Sequence, residues 1–207
     1  MRSTRGARSA LSLTLAAVVI LIALPCAAGV IMPYGDWQWG ASYQVSFPTG
    51  DTADFTKRTS WRGVGFEGNR QINMQQSVGV SVSWNVFHEK AYHTSTTARG
   101  TVSGTQLRDI NSVPILVTTH YELRQGRQAR PYLGIGLGTL YTHYRTDVGL
   151  FTSSQDAWAF AVAPEIGVRM PYDKFLGYVG LRWVYATDAG DLPKQSYTSI
   201  ILGFGLR

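Results

Sequence analysis

The chain has 207 residues, 19 Lys plus Arg against 13 Asp plus Glu, a single cysteine and a sequence pI near 9.6. The basic excess does not point to nucleic acid. Arg2, Arg5 and Arg8 belong to an export signal, and without them the balance is 16 against 13. Cys26 leaves with the same segment, which excludes disulfide and thiol chemistry in the remainder.

Residues 1–28 are read as that signal. A positive start precedes the unbroken apolar run Leu15 to Leu24, and Cys26-Ala27-Ala28 offers small residues for cleavage after Ala28. The run is short for a spanning helix, which needs roughly 20 apolar residues. Pro25 before Cys26 argues against a lipid-modified cysteine. The mature chain, 29–207, is expected to be one domain. It contains no continuously apolar stretch long enough for a membrane helix.

What it contains instead is alternation. The first segment, Trp37 to Phe47, puts Trp37, Trp39, Ala41, Tyr43, Val45 and Phe47 on one face and Gln38, Gly40, Ser42, Gln44 and Ser46 on the other. Pro48 to Thr59 reads as a loop. The second segment, Ser60 to Glu67, places Val64 and Phe66 outward and Glu67 inward. The third, Ser77 to His88, alternates Val78, Val80, Val82, Trp84 and Val86 with small polar residues. A polar stretch, Glu89 to Asp109, is expected to be a long loop.

The fourth segment, Ile110 to Leu123, has Val113, Ile115, Val117 and Tyr121 on one face and Thr118, His120 and Glu122 on the other. The fifth, Arg130 to Tyr144, alternates Leu133, Ile135, Leu137 and Tyr141 with Gly134, Gly136 and Gly138. Arg145 to Asp156 reads as a loop. The sixth, Ala157 to Met170, has the clearest pattern: Trp158, Phe160, Val162, Ile166, Val168 and Met170 against small residues, Glu165 and Arg169. The turn Pro171 to Lys174 leads to the seventh, Phe175 to Ala186, with Arg182 inward. The eighth runs from Tyr197 to Arg207.

Large apolar residues opposite a small or polar face fit a soluble sheet or a membrane barrel equally well. The even number of segments, the export signal and the alternation of longer and shorter connections favour the barrel, because bilayers admit only helices or closed barrels. The expected fold class is all-β, a closed eight-stranded antiparallel transmembrane barrel with lipid outside and a tight polar interior. Aromatic residues cluster near both expected interfaces, with Trp37 and Trp39 at one and Trp84, Tyr141, Trp158, Trp183 and Tyr185 at the other.

From Trp37 to Arg207 the chain resembles the small eight-stranded outer-membrane proteins of Gram-negative bacteria, the class that includes OmpX, OmpW and the OmpA membrane domain. The resemblance is carried by Ser112-Val113-Pro114-Ile115-Leu116, by Arg130-Pro131-Tyr132-Leu133-Gly134-Ile135-Gly136-Leu137-Gly138 and by the final hairpin. It implies residence in the outer membrane, contact with its lipid and lipopolysaccharide, and assembly by the barrel-insertion machinery. Chains of that class usually finish on an aromatic residue; here the sequence ends Phe204-Gly205-Leu206-Arg207.

The candidate chemistry is sparse. Inward parity collects Glu122, His120, Glu165, Arg169 and Arg182. If Met170 pairs with Phe175, Glu165 lies opposite Gly180 and one diagonal step from Arg182, while Glu122 faces Tyr132 and His120 faces Gly134. Buried charges need partners, so a structural network is the expected reading and a proton or solute path the alternative. His88, His93 and His143 have no metal-ligand spacing. His93-Thr94-Ser95 resembles the His-x-Ser pair of outer-membrane lipid A deacylases, but it falls in an expected loop without a group to orient the base. The glycines at 134, 136 and 138 suit a small inward face rather than a nucleotide. Lys57, Arg58, Arg62, Lys90 and Arg145 would ring the outer side, either as solvated charges or as contacts for lipopolysaccharide phosphates. No cofactor is expected. The expected role is structural or surface-interactive, with a lipid A-modifying enzyme or a narrow solute channel as alternatives.

Overall fold

The computed structural model describes residues 35, 37–56, 58–97, 100–123, 129–148, 151–172, 174–188 and 194–206. The expected signal, the expected start at Gly29, Lys57, Asp173, Arg207 and most of the turn after Leu123 lie outside the described residues. The alternating segments are all strands: β1 (Trp37–Thr49), β2 (Ser60–Gln71), β3 (Gln76–Thr97), β4 (Gly100–Glu122), β5 (Arg130–Val148), β6 (Phe151–Tyr172), β7 (Phe175–Ala186) and β8 (Gln195–Leu206). A short helix, α1 (Asp51–Phe55), follows β1 and packs against β1 and β8.

Each strand pairs antiparallel with the next, and β8 returns to β1, with Trp39 opposite Leu206 and Thr49 opposite Ser196. Closure removes both sheet edges at this level, so the backbone donors and acceptors are satisfied without water. Successive side chains take opposite sides of the wall. Val117 is 59% exposed and its neighbour Leu116 only 1%. One irregularity breaks the parity expected for β1. The β1–β2 register shifts between Gln44 and Ser46, and Val45, expected outward, is buried.

The turn between β6 and β7 is tighter than expected. Tyr172, not Met170, faces Phe175, leaving only Asp173 and Lys174 between them. Two-residue connections are the favoured way to join antiparallel strands. The change moves the register by two residues. Parity is preserved, and Arg182 comes directly opposite Glu165 instead of lying diagonal to it.

The stretches expected as loops at the other end are largely strand. β3 and β4 stay paired from Gln76↔Tyr121 out to Thr97↔Gly100, through residues 89–97 and 100–109. β5 and β6 stay paired out to Val148↔Phe151. Their Thr- and Ser-rich sequences lack an apolar face but suit extended backbone. His93 and Ser95 therefore lie on a strand and not in a loop, opposite Gly104 and Val102. The end with short turns is called lower below, and the end with long hairpins upper.

The interior is charged in its lower part and largely apolar higher up, which corrects the expectation of a polar interior. Above it, Phe87, Ile110, Leu116, Leu140, Val184, Tyr144 and Tyr197 form an apolar plug with Ala161, Ala163 and Ala186. Phe87 meets Tyr197 edge-on, with ring centroids 5.5 Å apart. Between the two layers lies a belt of small polar groups. Ser46 Oγ donates to Asn85 Oδ1 at 2.9 Å and lies 2.7 Å from Ser199 Oγ, and Ser112 Oγ donates to the Tyr197 hydroxyl at 3.2 Å. At the rim, the Ser196 amide donates to Thr52 Oγ1 of α1 at 2.9 Å.

Candidate functional site

The lower interior holds a chain of charged and hydroxyl groups contributed by five strands. Arg182 Nε on β7 donates to Glu165 Oε2 on β6 at 2.6 Å, and its Nη1 donates to Ser81 Oγ on β3 at 3.1 Å. The Tyr132 hydroxyl on β5 donates to the other Glu165 oxygen at 2.5 Å. Arg169 lies over the face of the Tyr132 ring, 4.7 Å from its centroid. The same guanidinium donates to Ser77 Oγ at 3.3 Å and pairs with Glu122 Oε1 at 3.6 Å. Arg130, at the lower mouth, donates to Glu122 Oε2 at 3.4 Å.

Small residues make this packing possible. The β4–β5 register puts His120 opposite Gly134 and Glu122 opposite Tyr132. A Cβ on Gly134 would come within 2.6 Å of the His120 ring, and one on Gly167 within 2.7 Å of the Tyr132 hydroxyl. His120 stands edge-on to Tyr132 at 5.3 Å. Tyr178 lies across Gly203 in the same way, with Glu67 and Ser42 near its hydroxyl.

All five residues expected in an interior network, Glu122, His120, Glu165, Arg169 and Arg182, are at most 6% exposed and share this space. Parity placed Tyr132, Tyr178 and Glu67 inward but did not count them in the network; Tyr132 bridges Glu165 and Arg169, and Tyr178 lies beside Glu67. The signal for Tyr132 was its register partner Glu122. Glu67 and Tyr178 lie on strands too far apart in sequence for any local pattern to join them. Chemically the chain neutralises buried charge. The belt of small polar groups and then the apolar plug lie above it.

The upper end has a different geometry. The β2–β3 pairing stops at Arg62↔Val86, and the β6–β7 pairing stops at Ala161↔Ala186. β3, β4, β5 and β6 continue beyond both points as one antiparallel sheet. Its outward face begins at an aromatic row, where Tyr141 and Trp158 pack with ring centroids 5.1 Å apart. The next row reads Arg62, Val86, Asn111, His143, Asp156, and the one above it His88, Asp109, Arg145, Ser154. His143 Nδ1 contacts Asp156 Oδ1, and His88 Nδ1 contacts Asp109 Oδ1. Tyr141 Oη donates to Asp156 Oδ1 at 3.1 Å, and Arg145 Nε donates to Asp147 Oδ2 at 3.0 Å.

Two of these carboxylates are favoured in their charged form. The hydrogen bond from His143 holds the Asp156 carboxyl below the usual Asp range. The Thr152 hydroxyl, then Arg145, do the same for Asp147. Among the described residues, no Ser, Thr or Cys hydroxyl or thiol is hydrogen-bonded to His88 or His143, and no group of three or more His, Cys, Asp or Glu is placed to hold a metal ion.

The expected basic ring is divided by the structure. Arg62 and Arg145 lie on adjacent rows of the outward face, and Arg58 is exposed between α1 and β2. Lys57 is outside the described residues. Lys90 and His93 lie on β3, but their side chains are outside the description.

No protein-family model and no curated protein matches the sequence. Solved structures do match the fold. The attachment invasion locus protein Ail of Yersinia pestis superposes with a TM-score of 0.53 at 11% identity, covering 83% of this chain and 97% of that one. Neisserial surface protein A superposes with a TM-score of 0.56 at 14% identity, covering 82% of this chain and 96% of that one. Identity this low establishes architecture and nothing finer. With its strand number, closure, outward apolar belt and short lower turns, the chain has the fold of the small eight-stranded outer-membrane β-barrel proteins.

Proposed function

We propose that the protein is an exported barrel of the bacterial outer membrane that acts as a surface-interaction protein through its upper sheet. One observation carries the reading. Residues 87–97 of β3 extend beyond the last β2 partner, and 151–159 of β6 beyond the bond from the Thr187 amide to the Phe160 carbonyl, so among the described residues the projecting sheet has two open edges. An open edge is a row of unpaired backbone donors and acceptors and recruits an added strand. A barrel whose task was only to seal a bilayer would end at the aromatic rows. Short turns belong on the periplasmic side, which directs the sheet outward from the cell. The outward rows with Arg62 and Arg145 stand just above the aromatic row, where charge pairing with lipopolysaccharide phosphates would seat the barrel in the outer leaflet.

The test is a chain in which 88–108 and 144–155 are replaced by two-residue turns, expressed in cells lacking the native gene. The shortened barrel should still fractionate with the outer membrane, starting near Gly29. It should lose the attachment and cell–cell aggregation conferred by the full chain. Equal attachment by both chains would overturn the surface role. Recovery of the processed chain as a soluble periplasmic protein would overturn the location.

A further inference from the structure

A groove of about 910 Å³ opens on the outside of the barrel wall across β1, β2, β3 and β8. Its floor is made by Ala41 and by the Trp39 ring seated on Gly68, Ala41 and Gly68 being the smallest outward residues of β1 and β2. Phe66 and Phe204 flank Ala41 as register partners on either side, and Trp39 and Val80 flank Gly68. The Trp39 ring lies down over Gly68, where an added Cβ would meet it at 2.6 Å, and Trp37 stacks on Trp39 at 5.7 Å. The depression is therefore built by the sequence: two adjacent strands carry a small residue where their neighbours carry aromatics.

The groove has one polar end. Arg70 lies at its lower lip, opposite Trp37 and Val78, exposed and with no carboxylate partner among the described residues. The lining carboxylate, Glu67, is turned into the barrel and is 9% exposed. From Arg70 up to Phe66 the groove runs roughly 13 Å at ~3.3 Å per residue. An exposed guanidinium without a carboxylate partner among the described residues, beside two tryptophans and below an apolar channel, is complementary to one class of molecule.

We infer that this groove is a binding site for a single glycerophospholipid of the periplasmic leaflet, its phosphate on Arg70 and an acyl chain across the Trp39 ring and along Ala41, between Phe66 and Phe204. The inference rests on the membrane reading above but not on the role of the upper sheet. The site holds one lipid in a fixed place instead of the exchanging shell that surrounds any barrel.

Native mass spectrometry of the full chain in detergent tests it, with palmitoyl-oleoyl phosphatidylglycerol and dioleoylglycerol as probes. The heat-dependent shift in electrophoretic mobility certifies that each variant is a folded barrel. The wild type should retain one phosphatidylglycerol. Arg70→Ala should lower that retention roughly tenfold, the scale of one charged hydrogen bond, without changing dioleoylglycerol. Arg70→Lys should restore most of it. Ala41→Phe, which fills the floor from the detergent side, should reduce both lipids. Unchanged phosphatidylglycerol retention in folded Arg70→Ala would overturn the inference. So would new lipid binding on deletion of 29–34, which would make that segment the occupant, or a dimer that Ala41→Phe dissociates. A folded barrel that fractionates with the outer membrane yet retains no lipid refutes this site and leaves the location standing.

Discussion

Glu165 and Arg182 face each other directly across β6 and β7, with Nε and Oε2 2.6 Å apart and both side chains buried. The Tyr132 hydroxyl holds the second carboxylate oxygen and Ser81 takes a further guanidinium hydrogen, so neither charge is left without partners. Desolvation of two such ions costs about as much as their attraction returns, so the pair is expected to specify register more than to add net stability.

That balance can be measured. Arg182→Met leaves the Glu165 carboxylate buried opposite an apolar side chain, and the expected loss is about 3–5 kcal/mol. The double variant Glu165→Gln, Arg182→Met should lose clearly less than the single one. Urea unfolding in vesicles reads both. A double variant as unstable as the sum of the singles would show that the two side chains are not coupled.

The apolar plug should behave like a soluble protein core. Phe87→Ala removes a ring that is 1% exposed and packed on Tyr197, with an expected cost of about 3–5 kcal/mol. Val117→Ala, on the outward face, should cost much less, because lipid tails refill the space. Equal losses in the same unfolding assay would mean that the plug is loosely packed.

Depth on the outer wall gives a third expectation. An arginine replacing Leu137 or Leu181 should cost roughly 2–4 kcal/mol if these positions lie at the bilayer midplane. A spin-label scan along Trp158 to Met170 in bilayers should show lipid contact with a period of two, highest at Phe160, Val162 and Ile166. The same period without lipid contact would leave the barrel intact and remove it from the membrane.

The upper sheet carries a pH-dependent element. Asp156 and Asp147 are held below the ordinary Asp value of 3.8 by hydrogen bonds that exist only in the folded hairpin. A depressed folded value means that the contribution is present above pH 3.8 and is lost as pH falls through the lower, folded value. Carboxyl NMR titration should therefore give midpoints below 3.8 for both residues. His143→Ala should move Asp156 back up and leave Asp147 where it is. A titration of Asp156 indifferent to His143 would contradict the contact.

Much of this architecture was legible in the residues because the bilayer imposes a strict rule. Wherever a strand crosses lipid, alternate side chains must be apolar, and that period marks β6 from Trp158 to Met170 without any tertiary information. Turn length then sets local register, and the pairings of Glu122 with Tyr132 and of His120 with Gly134 needed nothing more. Three features were decided only in three dimensions. The Glu165–Arg182 contact depended on whether the β6–β7 turn holds two residues or four, and a difference of two leaves the alternation unchanged. The plug was hidden because its members, among them Phe87, Leu116, Leu140 and Tyr197, come from different strands, and only closure of the barrel brings these inward apolar side chains together. The projecting sheet was hidden for the opposite reason. Beyond the outward apolar belt nothing enforces an apolar face, so residues 89–97, 100–109, 145–148 and 151–156 form strands through backbone pairing that their side chains do not announce.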